Sequence, residues 1–289
     1  MQSTLESAGD AARRSRGRRG GGGGLFYWLV RLLAGPALRI GFRPWVRGAD
    51  NVPSEGAAIL ASNHLAVIDS FLLPIVVPRK IRFIGKAEYF TGRGISGRLK
   101  AAFFRAVGTI PVDRGGGRAG EAALHTGLTV LNEGHIFGIY PEGTRSPDGR
   151  LYRGKTGVAR LALESGAPVI PVAMIDTEVA QPLGKVIPKP IRIGIVIGEP
   201  MDFSRYKGME HDRFILRSVT DEIMYALMRL SGQEYVDMYA ATAKARIAAG
   251  HRPDEVRSAE QSHGAPGGRP APDVQVPIPP QEPDLPSVG

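Results

Sequence analysis

Short apolar runs alternate with helix-like segments between residues 57 and 230 of this 289-residue chain. Runs rich in Ile and Val predict strands, and apolar residues that recur every three or four positions predict the helices between them. Such alternation is typical of an α/β domain in which helices flank a central, mostly parallel mixed sheet. The predicted strands are Ala57–Ala61, Arg82–Gly85, Thr109–Val112, Ile136–Tyr140, Val169–Met174 and Arg192–Ile197, and the predicted helices are Asp69–Val76, Ser96–Val107, Ala119–Glu133, Thr156–Glu164 and His211–Leu230.

Composition places a single domain between two tails. Residues 1–24 hold five arginines followed by a run of five glycines, and residues 251–289 hold nine prolines without a periodic apolar pattern. Such segments cannot bury enough apolar surface to fold, so we expect both to be disordered. The remaining domain, residues 49–250, is long enough to bury a substantial core.

Residues 25–48 include the most apolar segment of the chain, Leu25–Pro36. It is shorter than the roughly 18 apolar residues that a membrane-spanning helix needs. We expect a helical segment that lies in the membrane interface and directs its basic residues at anionic lipid. An ordinary core helix is the alternative, and a signal peptide is disfavoured because an arginine breaks the apolar run. The basic residues concerned are Arg31, Arg39, Arg43 and Arg47.

An imidazole and a carboxylate, those of His64 and Asp69, lie five positions apart just after the first predicted strand. Open α/β sheets bind ligands at the carboxyl ends of their strands. A neutral His held by Asp is a suitable general base near pH 7, because the carboxylate fixes the tautomer and stabilises the imidazolium. Residues five apart on one helix point about 140° apart, so the pair requires a strand, a turn and a helix that begins near Asp69. The alternative is a surface His followed by a helix-capping Asp.

Three further blocks follow in order, each in or at the end of an apolar run: Gly108–Arg114, Tyr140–Ser146 and Val169–Val172. With the His64/Asp69 pair they resemble the four ordered blocks of the glycerolipid acyltransferase family, and most of all its bacterial 1-acylglycerol-3-phosphate acyltransferases. The resemblance covers roughly residues 40–230 and implies a glycerol-3-phosphate acyltransferase-like fold. Two positions depart from the family pattern: Ala66 replaces a small hydroxyl residue, and Pro111 replaces an aromatic or aliphatic one.

The resemblance implies transfer of a fatty acyl group from a thioester, on coenzyme A or acyl carrier protein, to the sn-2 hydroxyl of 1-acylglycerol 3-phosphate. By the same resemblance His64 is the base, and Arg114, Glu142 and Gly143 lie at the phosphate-bearing head of the acceptor. Another lysophospholipid, glycerol 3-phosphate or a glycolipid as acceptor remains an alternative. So does a non-catalytic lipid-binding membrane protein, although binding alone gains nothing from a poised base.

Arginine matches phosphate oxygens in a bidentate way, so Arg114 and Arg145 are the leading predicted phosphate anchors. An ion pair at a strand end and a polar turn are the respective alternatives. We expect Glu142 to accept hydrogen bonds from the acceptor's glycerol or to orient a basic neighbour. Gly143 permits a backbone conformation or a close approach that a Cβ would forbid. Three more residues complete the predicted substrate-binding set: Thr144, Lys155 at a helix amino end that favours anions, and Lys86 at a strand end.

The chain lacks the groups that several other chemistries need. It has no Cys and no Gly-x-Ser-x-Gly elbow, so a hydrolase or a transferase with its own nucleophile is not predicted. Gly149–Thr156 has the spacing of a phosphate-binding loop but follows a turn, which argues against nucleotide hydrolysis. No spacing of His or Cys fits a metal site. We therefore predict neither a protein-bound metal nor a bound cofactor.

The formal net charge of +9 predicts acidic partners. No nucleic-acid domain signature accompanies it, so an anionic membrane surface and an acidic thioester donor are predicted instead of nucleic acid. We expect a peripheral or monotopic protein at the cytoplasmic face of the cell membrane. That location follows from the family resemblance, because thioester donors are made on that side.

Overall fold

The structure is a computed structural model that describes residues 31–32, 35–87, 90–92, 94, 97, 101, 104, 108–112 and 119–251. Of Lys86 and Ala119 it describes the backbone alone. The predicted tails lie outside these residues apart from His251, and so does most of the helix predicted over Ser96–Val107.

The described strands are β1 (Trp45–Arg47), β2 (Ala58–Ser62), β3 (Ile81–Lys86), β4 (Thr109–Val112), β5 (Ile136–Ile139), β6 (Leu151–Tyr152), β7 (Val169–Ile175), β8 (Gly194–Ile197) and β9 (Tyr235–Val236). Seven of them form one sheet in the order β1-β8-β7-β2-β5-β3-β4, and β6 pairs with β9 in a second, two-stranded sheet. Within the large sheet all neighbours are parallel except β7 and β8. This arrangement confirms the predicted α/β class with a mostly parallel mixed sheet.

The helices are α1 (Asp69–Val76), α2 (Ala119–Asn132), α3 (Gly157–Ser165), α4 (Thr177–Ala180), α5 (Arg213–Ser231) and α6 (Ala240–Ala248). The longest, α5, shows how the sequence sets their limits. The carboxylate of Asp212 accepts hydrogen bonds from the backbone N–H groups of Phe214 and Ile215, which caps the amino end. Gly232 ends the helix at a φ of +68°, where a residue with a Cβ would be strained.

Two apolar layers cover the two faces of the large sheet. Successive strand residues point to opposite faces, so Leu60 belongs to one layer and Ile59 to the other. We call the layer that contains Leu60, Leu72 and Ile195 the first core layer, and it packs against α1. The layer that contains Ile59, Leu161 and Ile223 is the second core layer, and α3 and α5 contribute to it. The apolar stripe predicted over His211–Leu230 thus packs on the sheet as expected.

The amino-terminal segment differs from its prediction in two respects. Residues 35–42 are helical, but Trp45–Arg47 form the edge strand β1, because Pro44 lacks the N–H that helix continuation needs. Two of the four arginines expected to face lipid instead donate to protein carbonyls at the end of α1. Those carbonyls lack intrahelical partners and lie at the negative end of the helix dipole. The bonds are Arg31 to Pro74 O (3.1 Å) and Val77 O (2.6 Å), and Arg39 to Ile75 O (3.2 Å).

The small β6–β9 sheet and α6 were not predicted. Two-residue strands carry too little alternation to be recognised, and α6 lies at the edge of the predicted domain. Tyr152, Val236, Met238, Ala240 and Ala243 bury one another and fix α6 to the body of the protein. In the part of the chain that the structure describes, no helix combines the length and apolar character needed to cross a bilayer.

Candidate active site

The carboxyl ends of β2 and β5, which are neighbouring parallel strands, bring the first and third sequence blocks together. His64 follows β2, and residues 140–146, which we call the β5 turn, follow β5. The backbone N–H of His64 donates to Glu142 Oε1 (3.3 Å), and the N–H of Ser146 donates to the carbonyl of His64 (2.7 Å). The turn is therefore bonded to both sides of the His64 backbone.

The side chains of His64 and Asp69 meet as the spacing requires. Nδ1 of His64 lies 2.9 Å from Asp69 Oδ2, and Asp69 is the first residue of α1. The same oxygen accepts from the N–H groups of Leu65 (2.8 Å) and Ala66 (2.9 Å), which holds the carboxylate in one orientation. Asp69 is fully buried, whereas the His64 side chain is 17% exposed. The predicted order of strand, turn and helix is confirmed, and Nε2 is the ring nitrogen left for a substrate proton.

Tyr140 is a site residue to which the sequence assigned no role. Its ring stacks on the His64 imidazole with centroids 3.8 Å apart and planes 11° apart, and its hydroxyl lies 2.9 Å from Ser70 Oγ. Burial, and next the charge of Asp69, raise the pKa of Tyr140, so its hydroxyl stays protonated. Stacking of Tyr140 on one ring face and the contact of Nδ1 with Asp69 leave the imidazole little freedom to rotate. The only sequence signal was an aromatic residue at the end of the predicted strand Ile136–Tyr140, which the structure ends at Ile139.

Glu142 is buried, with 1% of its surface exposed. Its second oxygen, Oε2, accepts from the N–H of Tyr152 (3.0 Å), so both oxygens bond backbone groups of the protein. Burial raises the pKa of Glu142 to about 8, and the charge of Asp69 adds to this, against the opposing effect of the two N–H donors and Lys244. The sequence led us to expect that Glu142 could accept a hydrogen bond from the acceptor's glycerol. In the structure neither oxygen of Glu142 is exposed for such a bond. Glu142 instead joins the His64 segment to β6.

We expect the substitution Glu142→Gln to change how stability depends on pH. Between pH 4.5 and about 8 the folded protein holds a proton that the unfolded chain releases, so the unfolding free energy of the wild type falls as pH rises. Gln does not titrate, but it turns an NH2 group toward one backbone donor, which costs about 1–3 kcal/mol. The variant is therefore less stable than the wild type at pH 5, and the gap narrows toward pH 8.

Urea unfolding at four pH values across this range measures the gap. Glu199→Gln, a substitution of an exposed carboxylate, is the matched control and should follow the wild-type pH dependence. A gap between the wild type and Glu142→Gln that stays constant from pH 5 to 8 contradicts the raised pKa.

Gly143 adopts a conformation that its sequence block anticipated, with a φ of +74°. A Cβ on Gly143 would also lie 3.1 Å from Cε and 3.2 Å from Nζ of Lys155, so the lysine side chain passes directly over this glycine. Lys155 is further held by its N–H, which donates to the carbonyl of Pro141 (2.8 Å). The structure thus places Lys155, an exposed cation just before α3, against the β5 turn.

A second lysine reaches the β5 turn from α6, and sequence reasoning missed it. Nζ of Lys244 donates to Thr144 Oγ1 (2.6 Å). Burial, and then the charge of Arg145, lower the pKa of Lys244, while Glu142 acts in the opposite direction. Arg145 and Lys244 are therefore close enough to repel each other. One hundred residues separate Lys244 from the turn, so no sequence spacing could have signalled the contact.

Two predicted substrate-binding positions cannot be compared with the structure. Arg114 and its neighbour Asp113 lie outside the described residues, and so does the side chain of Lys86. Strands β2, β3 and β4 all run in the same direction, so their carboxyl ends lie at the same edge of the sheet. Lys86 ends β3, and Arg114 follows β4 by two residues.

Asn63 fixes the entry to the His64 segment. Its Oδ1 accepts from the N–H of Met174 (2.7 Å), and its Nδ2 donates to the carbonyl of Met174 (3.0 Å) and to Gln233 Oε1 (2.7 Å). The amide thus continues the pairing of β2 with β7 beyond the last strand residue. The sequence placed Asn63 next to His64 but did not show that its side chain bonds the neighbouring strand.

The comparison with protein families agrees with this geometry. Residues 43–175 match the family model described as Acyltransferase. The match covers somewhat less than half of the chain, and over these residues the chain is similar to the acyltransferase family. The match includes His64, Asp69 and the β5 turn, and it ends before α6, so Lys244 is an addition from outside the matched acyltransferase region.

Named relatives point the same way. The chain is 29% identical over 170 residues to a 1-acyl-sn-glycerol-3-phosphate acyltransferase of Bacillus subtilis, covering 57% of this chain and 78% of that protein. It is 26% identical over 159 residues to a chloroplast 1-acyl-sn-glycerol-3-phosphate acyltransferase of Brassica napus, covering 55% of this chain but only 44% of that protein. A crystal structure of the 1-acyl-sn-glycerophosphate acyltransferase from Thermotoga maritima shares the fold, with a TM-score of 0.51, 24% identity, and coverage of 78% of this chain and 89% of that one.

Proposed function

We propose that this protein transfers a fatty acyl group from an acyl thioester to the sn-2 hydroxyl of 1-acylglycerol 3-phosphate, which gives phosphatidic acid. The observation that carries the proposal is the 2.9 Å contact between His64 Nδ1 and Asp69 Oδ2, beside a turn that contains Arg145 and is contacted by Lys155 and Lys244. The names of the Bacillus and Brassica relatives support the choice of acceptor.

The reaction needs no nucleophile from the protein. The acceptor hydroxyl gives its proton to Nε2 of His64 while its oxygen attacks the thioester carbonyl. Asp69 stabilises the imidazolium that results. The tetrahedral intermediate then breaks its carbon–sulfur bond, and the departing thiolate takes the proton from Nε2. The products are an ester and a free thiol, and His64 returns to its neutral form.

Recognition of the acceptor phosphate is assigned to the cations at the β5 turn. Arg145 belongs to this turn, Lys155 contacts it from the segment before α3, and Lys244 reaches it from α6. The mutual repulsion of Arg145 and Lys244 is relieved when an anion binds between them. Because Ser146 bonds the His64 carbonyl, a phosphate held here places the sn-2 hydroxyl near the base.

The donor and the location extend the proposal. A net charge of +9 suits either coenzyme A or acyl carrier protein, since both are acidic. The same charge favours the anionic surface of the cytoplasmic leaflet, where we place the protein as a peripheral enzyme.

The substitution Lys244→Ala should raise the KM for the acceptor about 10- to 150-fold and leave kcat within about twofold, because a charge-assisted bond to phosphate contributes about 1.5–3 kcal/mol. Steady-state kinetics with 1-acylglycerol 3-phosphate and acyl-CoA measure this. Arg246→Ala is the matched control, since it removes a charge from the same helix at a position about 200° away around the axis. An unchanged acceptor KM in Lys244→Ala would remove this lysine from the phosphate site.

A panel of donors and acceptors tests the function itself. Purified protein is incubated with acyl-CoA or acyl-acyl carrier protein and with 1-acylglycerol 3-phosphate, another lysophospholipid, glycerol 3-phosphate or a glycolipid, and thiol release and lipid product are followed. We expect the highest kcat/KM with 1-acylglycerol 3-phosphate. A higher value with another acceptor would reassign the substrate. No thiol release with either donor would indicate the alternative, a lipid-binding protein without activity.

A further inference from the structure

The loop between α4 and β8 exposes large apolar side chains at its tip. Val186 is 87% exposed and Ile187 is 83% exposed, and Leu183 nearby is 47% exposed. A single exposed apolar side chain is ordinary on a protein surface. Two neighbouring β-branched residues that are almost fully exposed form a projecting apolar tip, which is a feature of interaction sites.

The same loop is basic. Residues 182–192 contain Lys185, Lys189 and Arg192 and no acidic residue, and all three cations are exposed. An apolar tip flanked by cations is complementary to an anionic bilayer, in which apolar side chains pass the headgroups and cations stay at the phosphates.

The loop and the helix over residues 35–42 are both joined to the same face of the large sheet. Ala180 and Ile193, which flank the loop, belong to the first core layer, as does Phe42 of the helix over residues 35–42. That helix exposes Ile40 by 76% on its outer side. Two apolar projections from separate segments therefore arise from one layer of the protein.

A buried amide connects the loop to residues 64–69, which we call the catalytic segment. Gln181 is 5% exposed, and its Oε1 accepts from the N–H of Ile68 (2.9 Å), directly before Asp69. Its Nε2 donates to the carbonyls of Lys185 (3.3 Å) and Val186 (2.9 Å). The apolar tip is thus held at a fixed position relative to the His64–Asp69 pair by one side chain.

We infer that the loop of residues 182–192 is a membrane-docking element that places Val186 and Ile187 between the headgroups of an anionic bilayer. Its purpose rests on the proposed function, because docking next to the catalytic segment brings His64 to the depth at which a lysophospholipid presents its hydroxyl. The docking itself is a property of the surface and is measured without turnover.

The experiment compares two variants of the full chain that each add acidic charge at an exposed apolar position. Val186→Glu/Ile187→Glu alters the loop, and Phe214→Glu is the control, because Phe214 is also 87% exposed but lies in the first turn of α5, which packs on the second core layer. Partition onto vesicles of equimolar phosphatidylglycerol and phosphatidylcholine is measured by co-sedimentation. Activity is measured separately on a short-chain lysophospholipid below its critical micelle concentration.

We expect the partition of the loop variant onto vesicles to fall about 10-fold or more. The partition of Phe214→Glu should stay within about twofold of the wild type. Both variants should keep their activity on the monomeric short-chain lysophospholipid. Equal partition of the loop variant and the wild type would overturn the inference. So would loss of monomeric activity together with partition, which would mean that the loop acts by holding the site. If the loop variant partitions less than the wild type, but the wild type turns over no acceptor, the proposed function is refuted and the docking loop remains supported.

Discussion

Replacement of His64 by Ala should lower kcat by about 10²–10⁴-fold, the usual contribution of a general base. The fold should persist, because Asp69 keeps its bonds to the N–H groups of Leu65 and Ala66 when the imidazole is removed. Thiol release from acyl-CoA in the presence of 1-acylglycerol 3-phosphate measures the activity, and circular dichroism with thermal unfolding measures the fold.

The matched control for this substitution is His125→Ala. His125 is exposed on α2, and Ala is favourable within a helix, so kcat and stability should stay near the wild-type values. A His64→Ala protein that is folded and retains more than a tenth of wild-type kcat would refute the assignment of His64 as the base.

Replacement of Asp69 by Asn should lower kcat by about 10³-fold or more, as loss of the orienting carboxylate does in other His–Asp pairs. If the amide oxygen takes the position of Oδ2, the NH2 group takes that of Oδ1, which is buried without a hydrogen-bond partner among the described residues. If the amide is turned, NH2 faces two backbone donors and forces the ring proton of His64 onto Nε2. Nε2 can then no longer accept the acceptor's proton.

Both orientations of the introduced amide also cost stability, by about 1–3 kcal/mol, because each leaves a buried polar group unpaired. Asp50→Asn, at an exposed position, is the control and should change neither quantity. Urea unfolding and steady-state kinetics on the same preparations separate the two effects. An Asp69→Asn protein with wild-type kcat would show that His64 does not depend on this carboxylate.

The periodicity of the sequence was sufficient for six of the seven strands of the large sheet, but not for the short edge strand β1. Strands such as Ile136–Ile139 and Val169–Ile175 are buried on both faces and therefore read as continuous apolar runs, which are visible without any structure. The His64–Asp69 contact was also predictable, since both partners lie within one short turn and the geometry of a strand followed by a helix leaves few alternatives.

Roles that depend on burial were not predictable in the same way. Glu142 occurs in a polar, turn-like stretch of sequence, and nothing in that stretch shows that its carboxylate is enclosed by β6 and the His64 segment. Arg31 and Arg39 appear in the sequence as lipid-facing cations, yet the free carbonyls at the end of α1 compete for them. In each case the deciding partner comes from a distant part of the chain.

The sequence by itself determined the α/β class, the order of the main strands and helices, and the identity of the His64–Asp69 pair, because these depend on local periodicity and on partners five residues apart. Only the tertiary structure decided that Tyr140 stacks on the imidazole, that Lys244 joins Arg145 at the β5 turn, and that Gln181 ties an exposed apolar loop to the catalytic segment. The contacts that Tyr140, Lys244 and Gln181 make there span 76 to 113 positions of the chain. Long-range packing brings these residues together, and no sequence period encodes it.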